Sequence, residues 1–491
     1  MNGASLAGQL LRVLQSFLVM KMIGPESYGL WLGLQLVITY AAFCHLGVEG
    51  GLAFRLAYYR GRGDTESSKA LSDSGYLFWS AAGLATALGI AVYALVWHQP
   101  GSMIWWGFLA VAALVLINQQ TLYLTQWHVA ALVDFITPSG MGLLQSLLSA
   151  VFVLPLTYYF GLGGVILGTV LAAVVGLGVW RRWTPYSYSG TLSRPLLIDA
   201  VRVGFPTMVI NVGVALMQNV DRLMILALLG AANLGYYGIT ALGGTFVYGL
   251  LAQAGNAINP HIAAELGKGG EATTALKSYL VTPTRVFASL SAVLLSMLAF
   301  AVPPLVQLWL PRYAPGIPAF LFYLPGFFFL SITLTAGNIL NGILILRRKQ
   351  RYLIYIQVLA VVVEIGFSFL LVWSGLGLIG VALASTLSYC AYGLTTLGLA
   401  TAYVVPRWQD RGRFVAETLT PLVAGGVLVL AGYYLGVALV PGNAIVRAVA
   451  QLAFVAALSG ATLWTLRYRL GLHDAVPVLR AAFRRRLAGG E

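Results

Sequence analysis

The sequence predicts an all-α polytopic membrane protein of about fourteen transmembrane helices, arranged as two pseudo-symmetric six-helix bundles plus two C-terminal helices. Three observations predict it: a composition foreign to water-soluble proteins, apolar segments of membrane-spanning length joined by short loops, and an internal repeat. Of 491 residues, 59% are hydrophobic and 9% are charged, against roughly 25% charged in soluble domains. That excludes a water-soluble globular enzyme. The 56 Gly and 12% aromatics fit membrane helices, which tolerate Gly and place Trp and Tyr at the interfaces.

Fourteen segments reach the ~20 apolar residues that a helix needs to cross a hydrocarbon core. Numbered here as spans 1 to 14, they are 4–22, 29–54, 75–97, 103–124, 139–160, 162–181, 204–229, 235–261, 284–310, 317–345, 352–374, 376–404, 414–439 and 444–466. The longest loops, near 55–74, 182–203 and 262–284, hold about 20 residues, too few for a soluble domain. Before Lys21 there is neither a basic n-region nor a small-residue cleavage site, so the first apolar stretch reads as a retained span and not as a signal peptide.

Loop charge sets the expected orientation. Of 29 Lys and Arg, 24 fall in one alternating set of loops; the other set holds Lys21, Arg312 and Arg447, and Arg12 and Arg222 lie inside helices. Both termini are therefore expected in the cytoplasm. The loop 125–138 belongs to the cytoplasmic set yet has no Lys or Arg, which keeps twelve spans as the alternative. The net charge of +14 is spread between apolar segments and forms no aromatic-studded patch, so no nucleic-acid partner is expected.

The repeat appears when the chain is shifted by 206 residues: Ile23-Gly24-Pro25-Glu26-Ser27-Tyr28-Gly29-Leu30-Trp31 falls on Leu229-Gly230-Ala231-Ala232-Asn233-Leu234-Gly235-Tyr236-Tyr237. Without a gap, Gly61-Arg62-Gly63 falls on Gly267-Lys268-Gly269. A shift of 216 sets the segment from Leu162 to Leu171 on that from Leu378 to Leu387 with 5 of 10 residues identical. The expected domains are 1–200 (spans 1–6), 201–406 (spans 7–12), 407–467 (spans 13–14) and a basic amphipathic cytoplasmic tail, 468–491. Paired bundles of this kind are the usual build of carriers, with substrate at the repeat interface.

No motif for covalent chemistry occurs, and Cys44 and Cys390 stand alone in apolar runs. No catalytic residue, metal site or cofactor is expected, and the chain is not read as an enzyme. The informative residues are polar ones at membrane depth, which are costly there and face a cavity or a partner. Ser5, Gln9, Arg12 and Ser16 share a stripe on span 1; Asn211, Gln218 and Arg222 share one on span 7, and the 206 shift relates the two. These stripes line either a substrate pathway or an interhelical hydrogen-bond seam. Asp221, about 100° from Arg222 on the same helix, is expected to lock span 7 to a neighbour. His45 and Glu49 lie at i and i+4 on span 2; Gln357, Glu364 and Ser368 form a stripe on span 11. Their carboxylates either carry a coupled proton or Na⁺, or pair with Arg12 or Arg222. Asn338 and Asn341 give span 10 a polar edge suited to sugar hydroxyls.

With these residues in view, the chain resembles the Wzx-type oligosaccharide flippases, the polysaccharide transporters of the multidrug/oligosaccharidyl-lipid/polysaccharide (MOP) exporter superfamily. The matching pieces are the segment from Ile23 to Trp31, Gly61-Arg62-Gly63-Asp64, Gly204-Phe205-Pro206, and Asp221-Arg222-Leu223-Met224-Ile225 followed by the segment from Leu229 to Tyr237. The resemblance implies a MATE-like pair of lobes and alternating access. It implies transfer of undecaprenyl-diphosphate-linked oligosaccharide across a bacterial or archaeal plasma (inner) membrane for O-antigen, capsule or exopolysaccharide synthesis. Arg12 and Arg222 would meet diphosphate or acidic sugars. Membrane lipids and the polysaccharide polymerase and chain-length machinery would be partners, and H⁺ or Na⁺ the coupling ion. The alternatives are a cation or drug antiporter of the multidrug (MATE) branch and a lipid II flippase.

Overall fold

The computed structural model describes residues 3–132, 134, 136–267, 274–347, 349–439 and 444–466. These residues form fourteen α-helices joined by short 3-10 and π turns, with no strand among them. The tail beyond 467, the loop 268–273 and the side chain of Ser5 lie outside the described residues, and with them the amphipathic tail and the Gly267-Lys268-Gly269 match.

In chain order the helices are α1 (Gly3–Ala41), α2 (Val48–Gly61), α3 (Thr65–Trp97), α4 (Met103–Trp127), α5 (Ile136–Trp183), α6 (Arg194–Met217) and α7 (Val220–Leu229), then α8 (Ala231–Gly267), α9 (Thr274–Trp309), α10 (Ile317–Leu346), α11 (Arg351–Leu371), α12 (Gly377–Val404), α13 (Trp408–Leu439) and α14 (Ala444–Leu466). Asp64 and Ser102 begin α3 and α4 by accepting the backbone N–H of Ser67 at 2.9 Å and of Trp105 at 3.2 Å, the usual cap chemistry. Nine stretches among the described residues are long and apolar enough to cross a membrane, and three of them run for 40, 48 and 54 residues. At about 1.5 Å per residue these measure about 60 Å or more, at least twice the ~30 Å core. Each breaks at a glycine of positive φ, at Gly24, Gly161 and Gly375–Gly377, and so holds two crossings. The chain is a multi-pass membrane protein.

Two predicted spans are not continuous helices. Span 2 ends at Ala41, passes through a 3-10 turn at Ala42–His45 and left-handed Leu46 (φ 49) and Gly47 (φ 85), and restarts as α2. Span 7 breaks at Gln218 and Asn219, where Asn219 (φ −135, ψ 0) turns its amide back onto the Ala215 carbonyl at 2.8 Å. An Asn side chain competing with the helix ladder is a familiar local cause of such an interruption. The stripe through Asn211, Gln218 and Arg222 is therefore divided between α6, a turn and α7.

The repeat is written into the backbone. Gly24 (φ 77, ψ 169) and Gly230 (φ 84, ψ 177), 206 apart, share one conformation. Gly161 (φ 56, ψ −129) and Gly377 (φ 50, ψ −127), 216 apart, share another. Both regions are closed to residues with a Cβ, which is why the glycines survive in otherwise divergent copies. The segments that follow the first pair also pack reciprocally. A Cβ on Gly29 would lie 1.7 Å from the Ala231 carbonyl oxygen, and one on Gly235 would lie 1.8 Å from that of Pro25. Residue i meets j and the equivalent of j meets the equivalent of i, the mark of a local two-fold.

The chain divides into two compact units, residues 1–238 and 239–491. In the first, α2 and α6 meet backbone to backbone: a Cβ on Gly51 would lie 2.0 Å from the Ala200 oxygen, and one on Gly204 would lie 1.9 Å from the Gly47 oxygen. Gly47 and Gly51 thus face Ala200 and Gly204, small residues four apart on both helices, which allow close approach in a membrane. Arg55 and Asp199 close the same seam with an ion pair at 2.6 Å. In the second unit α10 is the most enclosed helix and buries Phe320, Phe328 and Tyr323. There α13 and α14 pack against α9: Glu417 accepts from Arg285 of α9 and from Arg413 of its own helix, and Gln451 of α14 donates to the Gly432 carbonyl of α13 at 3.1 Å. Trp97, Trp183, Trp373 and Trp408 stand highly exposed at helix ends, where indoles anchor to the lipid headgroup layer.

Replacing Gly51 by Leu forces a side chain into the Ala200 carbonyl, and overpacking of this kind costs about 1–3 kcal/mol or more. Gly51→Leu is therefore expected to lower the thermal unfolding midpoint in detergent. Gly61→Leu, where a Cβ meets open space, should leave it unchanged.

Candidate functional site

The break between α1 and α2 builds the site. In hydrocarbon each carbonyl freed by a broken helix needs a partner. Gln119 of α4 supplies it, donating from Nε2 to the carbonyls of Ala41 at 3.0 Å and Ala42 at 3.3 Å. Its Oε1 accepts from the indole N–H of the buried Trp79, whose ring lies 4.5 Å from that of His45. His45 is 4% exposed. Its Nδ1 accepts the Gly47 N–H at 3.2 Å, and its Nε2 lies 3.4 Å from Glu49 Oε2. With Nδ1 accepting, the network assigns the ring proton to Nε2, facing the carboxylate. The pairing of His45 with Glu49 holds although no continuous helix carries them.

Glu49 opens onto a cavity of about 220 Å³ between α2 and α6. Phe43, His45, Glu49, Gln126, Thr207 and Asn211 line it together with Gly47 and Gly204, whose bare backbones bring α2 and α6 into contact beside it. Three predicted residues, His45, Glu49 and Asn211, thus share one site. Gln126 and Thr207 join them unforeseen. Gln119 was equally open to detection, since Gln119-Gln120 sits inside an apolar span and meets the same test of polarity at depth.

The other predicted residues fall elsewhere. Arg12 donates to Ser146 of α5 at 2.7 Å, and Gln15 donates to Ser149 at 2.9 Å one turn further on. The span 1 stripe is therefore partly a seam between α1 and α5. Gln9 and Ser16 are half-buried on the same helix, and Ser16 engages the buried Tyr28 hydroxyl. Asp221, 2% exposed, accepts from the Tyr237 hydroxyl of α8 at 2.7 Å and from the Arg222 N–H. Arg222 reaches Asn219 Oδ1 at 3.1 Å, and its Nε is buried without a partner among the described residues. Gln218 forms the turn between α6 and α7.

In the second unit Glu364 is fully buried and accepts from Ser385 of α12 at 2.7 Å. Gln357 and Ser368 are buried on the same helix, and the Ser385 bond to Glu364 joins α11 to α12. Asn338 bends back to the Leu334 carbonyl; the Asn341 Oδ1 is buried without a partner among the described residues. A second polar network, overlooked at the sequence level, holds the segment after α5: buried Asp73 accepts from Tyr186 at 3.0 Å and from the Ser189 N–H at 3.0 Å.

The loop around 134, which lacks cationic residues, is organised by His128 and Asp134. His128 is buried, with Nδ1 3.1 Å from Asp134 and Nε2 3.1 Å from Thr184. Hydrogen bonds from Thr137, hydroxyl and N–H, together with His128 and the Ile136 N–H, hold the Asp134 carboxyl down to about 2.

No protein-family model matches the chain, and no curated protein matches it in sequence. Solved structures match it by fold. The lipid II flippase MurJ, in an inward closed conformation, aligns with a TM-score of 0.68 at 13% identity over 94% of this chain and 98% of that one. An inward-facing multidrug resistance MATE family transporter of the MOP superfamily aligns at 0.64 and 17% identity, over 80% and 95%. The chain has the MATE/MurJ-like transporter fold. A MOP superfamily transporter from Pyrococcus furiosus also aligns, at 0.57 and 16% identity over 84% and 94%. These neighbours are transporters and flippases, not enzymes.

Two outcomes test the local chemistry. Gln119→Leu strands two carbonyls and an indole N–H, each loss costing about 1–3 kcal/mol, so it should destabilise the protein in detergent far more than Gln126→Leu at the cavity wall. For Asp134 the folded pKa is depressed, so its contribution is present above ~3.9 and lost as pH falls towards about 2. The difference in thermal midpoint between the wild type and Asp134→Asn should therefore persist at neutral pH and fade below pH ~4.

Proposed function

We propose that the chain is a flippase that carries undecaprenyl-diphosphate-linked oligosaccharide units across the plasma membrane by alternating access, for synthesis of O-antigen, capsule or exopolysaccharide. The observation that carries the reading is the extent of the fold match. The lipid II flippase alignment covers 94% of the chain, leaving about 30 residues, fewer than the 32 of α13 and 23 of α14 together. It must reach into the terminal pair. The MATE alignment covers 80% and can omit that pair entirely.

In this reading the headgroup diphosphate is met by Arg12 and Arg222, whose planar guanidinium donors suit phosphate oxygens. Arg12 is exposed, and Arg222 keeps a buried donor nitrogen open. Gln9, Ser16, Asn211, Gln218, Asn338 and Asn341 line the pathway for sugar hydroxyls. Glu49, His45 and Glu364 are the groups available to couple H⁺ or Na⁺, while Asp221 braces α7. Both termini face the cytoplasm, and the polymerase and chain-length machinery receive the product. A second reading, a cation antiporter, draws on Glu364, a carboxylate buried at membrane depth, and on Glu49 at its cavity.

Lipid mass spectrometry of a deletion strain decides between them. A flippase predicts accumulation of undecaprenyl-diphosphate oligosaccharide with loss of surface polysaccharide, reversed by the intact gene. Unchanged lipid pools and polysaccharide would move the assignment to the antiporter, and accumulation of the peptidoglycan precursor would move it to lipid II. In the complemented strain Arg222→Ala should abolish polysaccharide while the protein stays in the membrane. Arg12→Gln should be milder than Arg12→Glu, because Gln preserves a donor to Ser146 and Glu reverses the charge.

A further inference from the structure

The cavity between α2 and α6 has a chemistry more specific than a general polar lining. His45, Glu49, Gln126, Thr207 and Asn211 supply hydrogen-bond donors and acceptors in one ring of side chains, with the Phe43 ring alongside. No Lys or Arg lines it, and its one carboxylate is Glu49. The α2 N-terminus opens here, and such a terminus attracts an anion; Glu49, in the first turn of α2, already provides that negative charge. A second anion would meet repulsion. A cavity of about 220 Å³ has room for one six-membered ring with its hydroxyls.

Hydroxyls both donate and accept, so they match a mixed ring of His, Gln, Asn, Thr and carboxylate better than a cation or a hydrocarbon does. Phe43 offers an apolar surface for the C–H face of a ring. The cavity lies at the N-terminal end of α2, and Arg55 and Arg60 follow it along the same helix.

We propose that this cavity is a subsite for one neutral or amino-bearing sugar ring of the transported glycolipid, with Glu49 and Asn211 as its hydrogen-bonding poles and Glu49 excluding uronic acids. The inference rests on the flippase reading and narrows it to a substrate class. His45 holds Glu49 in place from the helix break, so the selectivity of the site is tied to the fold that creates it.

The test uses the full chain in lipid nanodiscs and saturation-transfer NMR with a defined panel: the methyl glycosides of glucose, galactose, mannose, N-acetylglucosamine, glucosamine and glucuronic acid. At least one neutral or amino glycoside should bind, glucuronide should not, and Asn211→Leu should weaken the binding by about tenfold. Glu49→Gln should admit the glucuronide. Both residues are exposed to the cavity, so neither change disturbs the packed seam, and an unaltered thermal midpoint verifies this. Absence of neutral and amino glycoside binding, binding indifferent to both substitutions, or equal binding of glucuronide to the wild type would each overturn the proposal. The lipid analysis of the deletion strain reads the flippase assignment independently. Sugar binding that responds to the substitutions, with unchanged lipid pools, would leave the subsite standing and remove the flippase.

Discussion

The structure of the first unit turns on one constraint: a helix interrupted inside a membrane must have its freed backbone groups satisfied by protein. Between Ala41 and Val48 the chain leaves the helix, and Gln119 of a neighbouring helix takes the two carbonyls that the break exposes. Everything at the candidate site follows from that arrangement. Trp79 is fixed by its bond to Gln119, His45 by Trp79 and the Gly47 N–H, and Glu49 by His45. The same break sets Gly47 against Gly204, so that α2 and α6 touch by backbone at one level and part into a cavity beside it.

Polar groups at membrane depth divide into two kinds. Asp221 and Glu364 are almost fully buried and accept hydroxyl donors from the neighbouring helices α8 and α12, bonds worth on the order of 1 kcal/mol each in a membrane. Glu49, Asn211 and Arg12 keep exposed surface, and Arg222 keeps an unsatisfied nitrogen. These are the groups whose hydrogen-bonding capacity the described residues leave open.

Much of this was legible in the sequence, and for identifiable reasons. The spans follow from apolar length, which the bilayer dictates. The repeat was read from glycines, and those glycines carry the shared positive-φ conformations at Gly24 and Gly230 and at Gly161 and Gly377, positions where chemistry leaves no alternative. The breaks at 42–47 and 218–219 were not legible, because an apolar run looks the same whether or not its backbone is regular. Arg12 was assigned to a stripe on span 1, but a periodicity argument names a face and not a partner, and its partner is Ser146. Gln119 was missed although, like the amides that were noticed, it sits inside an apolar run, and an uncharged amide at membrane depth is as strong a sign of an unusual backbone as a charge.

The central claim is that this fold moves a lipid-linked sugar between leaflets. The most direct measurement is leaflet exposure of undecaprenyl-diphosphate oligosaccharide in proteoliposomes of the purified chain, read by access of an added lectin or glycosidase. The account predicts transfer with the wild-type protein and its loss with Arg222→Ala. Empty-vesicle rates with the wild-type protein, alongside exchange of organic cations for H⁺ or Na⁺ by the same preparation, would contradict it.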